Sequence, residues 1–382
     1  MTTTTSAAAA AATSSDETIQ TSQIARTRHV IVTVIGATGH QGSGVVAAFL
    51  RPSSSSSLED GADNPEYAVR AVSSNPSGSK SQALLSAHPS AASSPRLTLV
   101  QADLANVESL KEAIRGSDGV FFAGPFMPGE GAKAEESEEA KWGRNVVDAV
   151  KACGVEHFIY SSLNHLSVLS KGKYVNVVHE DAKALVAQYA QAQLKAVTLL
   201  IPPAFYSNLA WPLFARREKD GTVTICVPVD PEVKMEWVDE GFDIGNFAAA
   251  AFRAGPAVTG GKTYPVCSPR ITPVELAQEY ERATGEQTRV QRLSLEEARQ
   301  LATGMMGESA ALELTELFSW LAEVPEGTIC SGAMKPEDDT SYADLSVKAS
   351  SLTQFLQRTG FRVPPASISS SGELLQVTVN SP

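Results

Sequence analysis

Cysteine is scarce in this chain: four in 382 residues, at Cys153, Cys226, Cys267 and Cys330, widely spaced and with no CxxC pair. That spacing excludes the familiar zinc ligand sets, so no metal site is expected, and it argues against a disulfide scaffold in a chain this long. Long apolar runs are also missing, none approaching the ~18 residues a membrane span needs. Basic clusters are absent too. A net charge of −12 argues against a nucleic-acid or anionic-membrane surface, because phosphate attraction needs grouped Lys and Arg. A cofactor site is untouched by that exclusion, since it can be locally positive in an acidic protein. The first twenty residues, rich in Thr, Ser and Ala, lack the basic start and apolar core of a secretory signal. Asp16 and Glu17 precede the arginines Arg26 and Arg28, against the habit of transit peptides, so no targeting segment is expected. The expectation is a soluble cytoplasmic protein, with the nucleus as the alternative compartment.

The length exceeds the roughly 250–300 residues at which one core usually stops growing, which predicts a large domain, a smaller lobe and some disordered sequence. Residues 1–28 are low-complexity and expected to be disordered, as is a tail at 366–382. Residues 29–35 form a β-branched run ending at glycines, which reads as a buried parallel strand. A helix over 45–50 stops at Pro52 and is followed by the polar insert 53–65. Strands then read at 67–72, 97–101, 119–123, 157–161 and 196–202, with helices at 107–115, 135–153 and 180–192. The Ser/Ala/Pro-rich stretch 86–95 reads as a connection. Alternating strands and helices mean βαβ units and a doubly wound parallel sheet with right-handed crossovers.

The second half is less regular. Strands are expected at 223–229 and 262–267 around a helix at 242–254, and helices at 272–284, 294–306, 310–321 and 352–359. The division expected is a Rossmann-type α/β domain over 29–205, rejoined by 238–268. A C-terminal cap lobe is expected from 206–237 and 269–365, over the carboxyl ends of the strands.

Between the first strand and helix lies Gly36-Ala37-Thr38-Gly39-His40-Gln41-Gly42. The first glycine permits a tight turn, the second lets backbone approach a pyrophosphate, and the third lets helix pack on strand. The pyrophosphate would sit at the positive end of the helix. The second strand ends Val72-Ser73-Ser74-Asn75-Pro76, without the acid that excludes NADP, so NADP(H) is favoured over NAD(H). Lys80 and Arg70 are candidates for its extra phosphate. Asp103, after the third strand, is placed to contact adenine. The alternative, an N-cap for the helix near Val107, has too long a spacing.

Together these residues resemble the NmrA-like family of atypical short-chain dehydrogenases. The likeness is carried by the glycine turn, by 157–163 (HFIYSSL), by His179–Lys183 and by 205–209 (FYSNL). It implies a Rossmann domain with a small second lobe and NAD(P) binding. It also implies contacts from Gly36–Gln41, from Gly124, Pro125 and Phe126, from Lys183, and from Tyr206, Ser207, Asn208 and Leu209. Three departures stand out. An arginine gripping the NADP phosphate in relatives falls at Ser74, a Thr-Asn pair is replaced by Gly124-Pro125, and another arginine is Ile201.

In the superfamily a Tyr donates the proton and a Lys four residues later binds ribose. Here the donor position is His179 and the Lys is Lys183; the usual hydroxyl after strand five is Leu163. His179 reads as a general acid or as a polar neighbour of the cofactor, and a nearby ammonium would keep it neutral. Two functions follow. One is an NADP(H)-binding, redox-sensing regulator of a protein partner, without strong catalysis. The other is an NAD(P)H-dependent oxidoreductase that reduces a small carbonyl, enone or quinone through His179 and Lys183. The aromatics Phe205, Tyr206, Trp211, Phe214 and Trp237 would line a substrate site or fill the lobe's core.

Overall fold

The strand that precedes the glycine turn is buried on both faces: Val32, Thr33 and Val34 are shielded from solvent, and the one polar member, Thr33, pairs its hydroxyl with Ser117 Oγ at 2.6 Å. Such a strand has neighbours on either side. The computed structural model describes residues 29–51, 67–127 and 133–365; the tails expected at 1–28 and 366–382 and the insert at 53–65 lie outside them.

The strands of the first half are β1 (Val30–Ile35), β2 (Tyr67–Ser73), β3 (Leu97–Gln101), β4 (Gly119–Phe122), β5 (His157–Ser161) and β6 (Val197–Ile201). Then come β7 (Ala204–Phe205), β8 (Ala215–Arg217), β9 (Val223–Val227), β10 (Trp237–Val238), β11 (Thr263–Pro265) and β12 (Thr288–Arg292). A parallel seven-stranded sheet runs in the order β11-β6-β5-β4-β1-β2-β3. The order reverses between β1 and β4, which opens a crevice at their carboxyl ends. Strand 263–265 thus returns late to the far edge of the sheet, inside the stretch expected to rejoin it. The other strands form a two-stranded pair, β10-β7, and a three-stranded sheet, β12-β9-β8. Around the three-stranded sheet a separate apolar core gathers Leu213, Phe214, Ile225, Trp237, Tyr280 and Phe355. Capping boxes start three helices of this lobe, at Thr272/Glu275, Ser294/Glu297 and Ser351/Gln354.

Two readings of the connections need correction. The stretch between β2 and β3 is helical at Ser79–Ala87 and Pro89–Ala92, not an irregular connection. Its serines are held locally, Ser81 Oγ donating to Ser73 Oγ and to the Asn75 carbonyl, while in helix Ser79–Ala87 the buried apolar residue is Leu84. A helix carried by one buried leucine has almost no hydrophobic period to read. The helix after the glycine turn begins at His40, five residues before its apolar run. It packs against the helix Phe242–Ala254 through glycines: a Cβ on Gly44 would lie 1.7 Å from the Gly241 carbonyl oxygen. Among the described residues no helix is long and apolar enough to cross a membrane.

Candidate functional site

The glycine turn is shaped by backbone. Gly36 has φ +87°, and a Cβ there would sit 2.3 Å from the Ala123 carbonyl oxygen at the end of β4. On Gly42 a Cβ would come within 2.1 Å of the Gly36 carbonyl oxygen. Both glycines are therefore required by the protein's own packing. Gly39 differs. Its φ is −90°, and the nearest atom to its Cβ would be the Gly36 oxygen at an ordinary 3.4 Å. Nothing in the fold demands glycine at 39, yet it opens onto a cavity. Gly39 also N-caps the helix His40–Leu50, and no side chain caps that end.

The cavity holds about 1010 Å³ and runs from this turn, across the ends of β2, β3 and β4, to the second lobe. Most of the expected site residues meet there: Gly36, Thr38, Gly39, His40, Gln41, Gly42, Ser74, Lys80, Asp103, Gly124, Pro125, Phe126, His179, Lys183, Ser207 and Asn208 all line it. The rest do not. Ala37 is buried beneath the turn, and Arg70 spends its guanidinium on the carbonyls of Ala113 and Arg115. Tyr206 and Leu209 are fully buried in the second lobe; the Tyr206 ring stacks with Trp237 and Phe355, and its hydroxyl donates to Ser268 Oγ and the Ser350 carbonyl. In a 3-10 turn over Tyr206–Ala210, with three residues per turn, one side faces the cavity, and Ser207 and Asn208 take it. Of the five aromatics, Phe205, Trp211 and Phe214 line the cavity, while Trp237 joins Tyr206 in the core.

Asp103 accepts the backbone N–H of Ala105, and the cap of helix Val107–Ile114 is Asn106, which accepts from Ser109. At the turn end, Glu240 pairs with His40 Nδ1 at 3.1 Å and takes the hydroxyl of Ser207. The Glu240 bond raises the His40 pKa, against burial and the Lys80 charge. Gln41 Oε1 and Glu240 Oε2 are buried with no partner among the described residues.

Farther along lies a charged cluster. Glu139 Oε2 is 2.7 Å from His179 Nδ1 and Glu139 Oε1 is 3.4 Å from Lys183 Nζ. The Lys183 ammonium lies 5.7 Å from the Tyr160 ring centre, and a Cβ on Gly124 would be 3.6 Å from it. Glu313 Oε1 accepts the His179 backbone N–H at 2.6 Å, while its Oε2 is buried and unpartnered. Burial holds the His179 imidazole below its usual range, opposed by the Glu139 hydrogen bond, so the ring is neutral at pH 7. Burial, with Asp181 adjacent, pushes the Glu180 carboxyl up to about 8, and burial does the same to Glu313. Two carboxyl groups lining the cavity are thereby protonated at neutral pH, beside a neutral His179 imidazole. Cys267 and Cys330 also line the cavity, but burial pushes both thiols up, so neither is a thiolate nucleophile.

Sequence reasoning missed Glu139, Glu180, Glu240 and Glu313. Glu139 sits in the first turn of helix Glu138–Ala152, where acids are expected on any surface helix. Glu313 carried a signal: it lies three residues after Ala310 and four before Leu317, on the apolar face of its helix.

Strand order, glycine turn and a cavity shared with a second lobe define a Rossmann-type α/β protein of the doubly wound class. More narrowly, the chain belongs to the NmrA-like family, whose model matches residues 28–352. It is similar to the nitrogen metabolite repression protein nmrA of Emericella nidulans, 27% identical over 195 residues, which are 50% of this chain and 53% of that protein. The chain spans about half the length of the first curated relatives it matches. A crystal structure of Nmra, a negative transcriptional regulator in complex with NAD, superposes with TM-score 0.64 at 18% identity, covering 87% of this chain and 98% of that one. An NADPH-dependent quinone oxidoreductase from Escherichia coli complexed with NADPH gives TM-score 0.60 at 19% identity, covering 86% and 100%. At these identities the structures establish the shared fold.

Proposed function

We propose that this chain binds NADP(H), and NAD(H) less tightly, at the glycine-turn end of the cavity, and that it acts as a regulator responding to the cofactor's redox state. One observation carries the binding: Gly39 lacks a side chain where the fold has room for one and where the uncapped helix end faces the cavity. The residues present fit the group. The turn and helix end would hold the pyrophosphate, and the unpartnered Gln41 oxygen would accept from a ribose hydroxyl. Ser74 and Lys80 would meet the adenosine phosphate, and Asp103 the adenine. Gly124, Pro125, Phe126, Lys183, Ser207 and Asn208 would surround the nicotinamide half. When bound in reduced form, the nicotinamide supplies hydride. The regulatory reading is supported by the donor position, where the expected acid His179 is neutral and already committed to Glu139. It also accords with the names of the relatives that are regulators.

A second reading, an NAD(P)H-dependent oxidoreductase, is favoured by one feature: the cavity continues past Lys183 to Glu180, a carboxyl protonated at neutral pH, between aromatic walls. Calorimetric titration with NADPH, NADP+, NADH and NAD+ tests the cofactor. Anaerobic NADPH consumption with a panel of ketones, quinones and enones separates the two roles. Under the regulatory reading the dinucleotides bind and no NADPH is consumed; turnover with any member of the panel overturns it.

A further inference from the structure

Beyond Lys183 the cavity has apolar walls, formed by Trp211, Phe214 and Phe318, and its carboxyl groups are Glu180, Glu236 and Glu313, of which Glu236 accepts the backbone N–H groups of Cys330 and Ser331. Glu313 is only 4% exposed, yet it lines the cavity and leaves Oε2 without a partner. Glu180 lines the same end, and the nearest cation, Lys183, is held by Glu139. A buried carboxyl oxygen left unpaired costs free energy that a hydrogen-bonding partner recovers.

We infer that the second ligand of this cavity is an organic cation, an amine on an aromatic body, received by the carboxylates of Glu313 and Glu180 with its apolar part against Trp211, Phe214 and Phe318. This rests on the proposed reading, in which the dinucleotide takes the glycine-turn end and leaves this end to another molecule. An ammonium forms charge-assisted hydrogen bonds with carboxylates and is attracted to indole and phenyl faces. An anionic ligand is repelled as these carboxyl groups ionise, and a neutral one gains nothing from their ionisation.

The cation also has a pH signature. Without it, burial pushes both carboxyl groups up to about 8. The titratable groups facing them are Glu139 from helix Glu138–Ala152, His179, Asp181 and Lys183 from helix Val178–Gln193, and the Cys330 thiol from the 3-10 turn Cys330–Gly332. Lys183 favours ionisation of Glu180, and the acids oppose it. A bound amine selects the ionised forms, so binding releases protons and strengthens as pH rises through about 8.

The test is calorimetry on the full chain with NADP+ present, comparing phenylbutylamine with phenylbutanol, its uncharged isostere. The amine should bind at least about tenfold more tightly near pH 8, a preference that shrinks as pH falls toward 6.5. Glu313→Gln should reduce the preference to within about threefold, and Glu180→Gln should do the same if the first variant does not fold. Equal affinity for the two probes, no binding of either, or a preference that survives both substitutions overturns the inference. If NADP+ itself does not bind, the dinucleotide reading fails alone, because the same probe ratio on the nucleotide-free chain still decides the cation.

Discussion

At one end of the cavity Gly36, Gly39 and Gly42 lie within a single turn and act through backbone; at the other, Glu139, His179, Lys183 and Glu313 come from three helices and act through side chains. The first end is rigid because carbonyl oxygens fill the places where the Cβ atoms of residues 36 and 42 would be. The second is a set of buried charges whose protonation depends on what each one faces. A ligand at the turn end is recognised by shape and by N–H groups that do not titrate. A ligand at the acid end is recognised by groups that do. The cavity therefore joins a half built on backbone, in which His40 is raised by Glu240, to a half built on buried carboxyl groups.

The sharpest way to break this comparison lies within the turn itself. Gly42→Val drives a side chain into the Gly36 carbonyl and should cost about 3 kcal/mol or more of stability, read from denaturant unfolding. Gly39→Val should leave the unfolding midpoint within error while weakening NADPH binding by about 100-fold or more, roughly 2.7 kcal/mol. If the two variants lose stability equally, the distinction between structural and ligand-facing glycines is wrong. A Gly39→Val protein that is folded and keeps wild-type affinity would place the cofactor elsewhere.

Ser74 is exposed at the cavity edge with no carboxylate at the end of β2. Ser74→Arg should widen a modest preference for NADPH over NADH by roughly 1.5–3 kcal/mol, the size of a charge-assisted hydrogen bond. Competitive titration of the two cofactors measures it, and a wild-type preference for NADH of about tenfold would remove the NADP reading.

The last effect belongs to the acid end. Glu180 and Glu313 titrate near 4.5 in the unfolded chain and near 8 in the folded one, so folding takes up protons between those values. Their contribution to stability is largest below 4.5 and is lost as pH rises through about 8, at up to about 1.4 kcal/mol per pH unit for each proton. His179, held low by burial, works in the opposite direction and only below about 6.5. Unfolding free energy should therefore fall from pH 6.5 to 8.5, and Glu313→Gln should flatten part of that slope. An unchanged slope in the variant would mean that Glu313 is already ionised in the native state.

How much of this was legible in the residues differs between the two ends for the same reason. The glycine turn follows a β-branched strand and precedes a helix, so its spacing can be read locally, and the sheet follows from alternating apolar runs. The helix Ser79–Ala87 escaped because one buried leucine and self-bonded serines leave no period. Tyr206 and Leu209 were assigned to the cofactor by motif, but within a 3-10 turn the motif does not say which residues face inward.

What the sequence determined by itself was therefore the Rossmann-type sheet, the glycine turn at its switch point, and membership of a family. Each depends on contacts between residues close in the chain, where backbone geometry converts spacing into position. Only the tertiary structure decided that Glu139 would sit between His179 and Lys183, that Glu313 would reach across to cap helix Val178–Gln193, and that Arg70 would be spent elsewhere. A side chain's charge and pKa are set by the neighbours that burial gives it. Those neighbours come from helices far apart in sequence, so local spacing carries no trace of them.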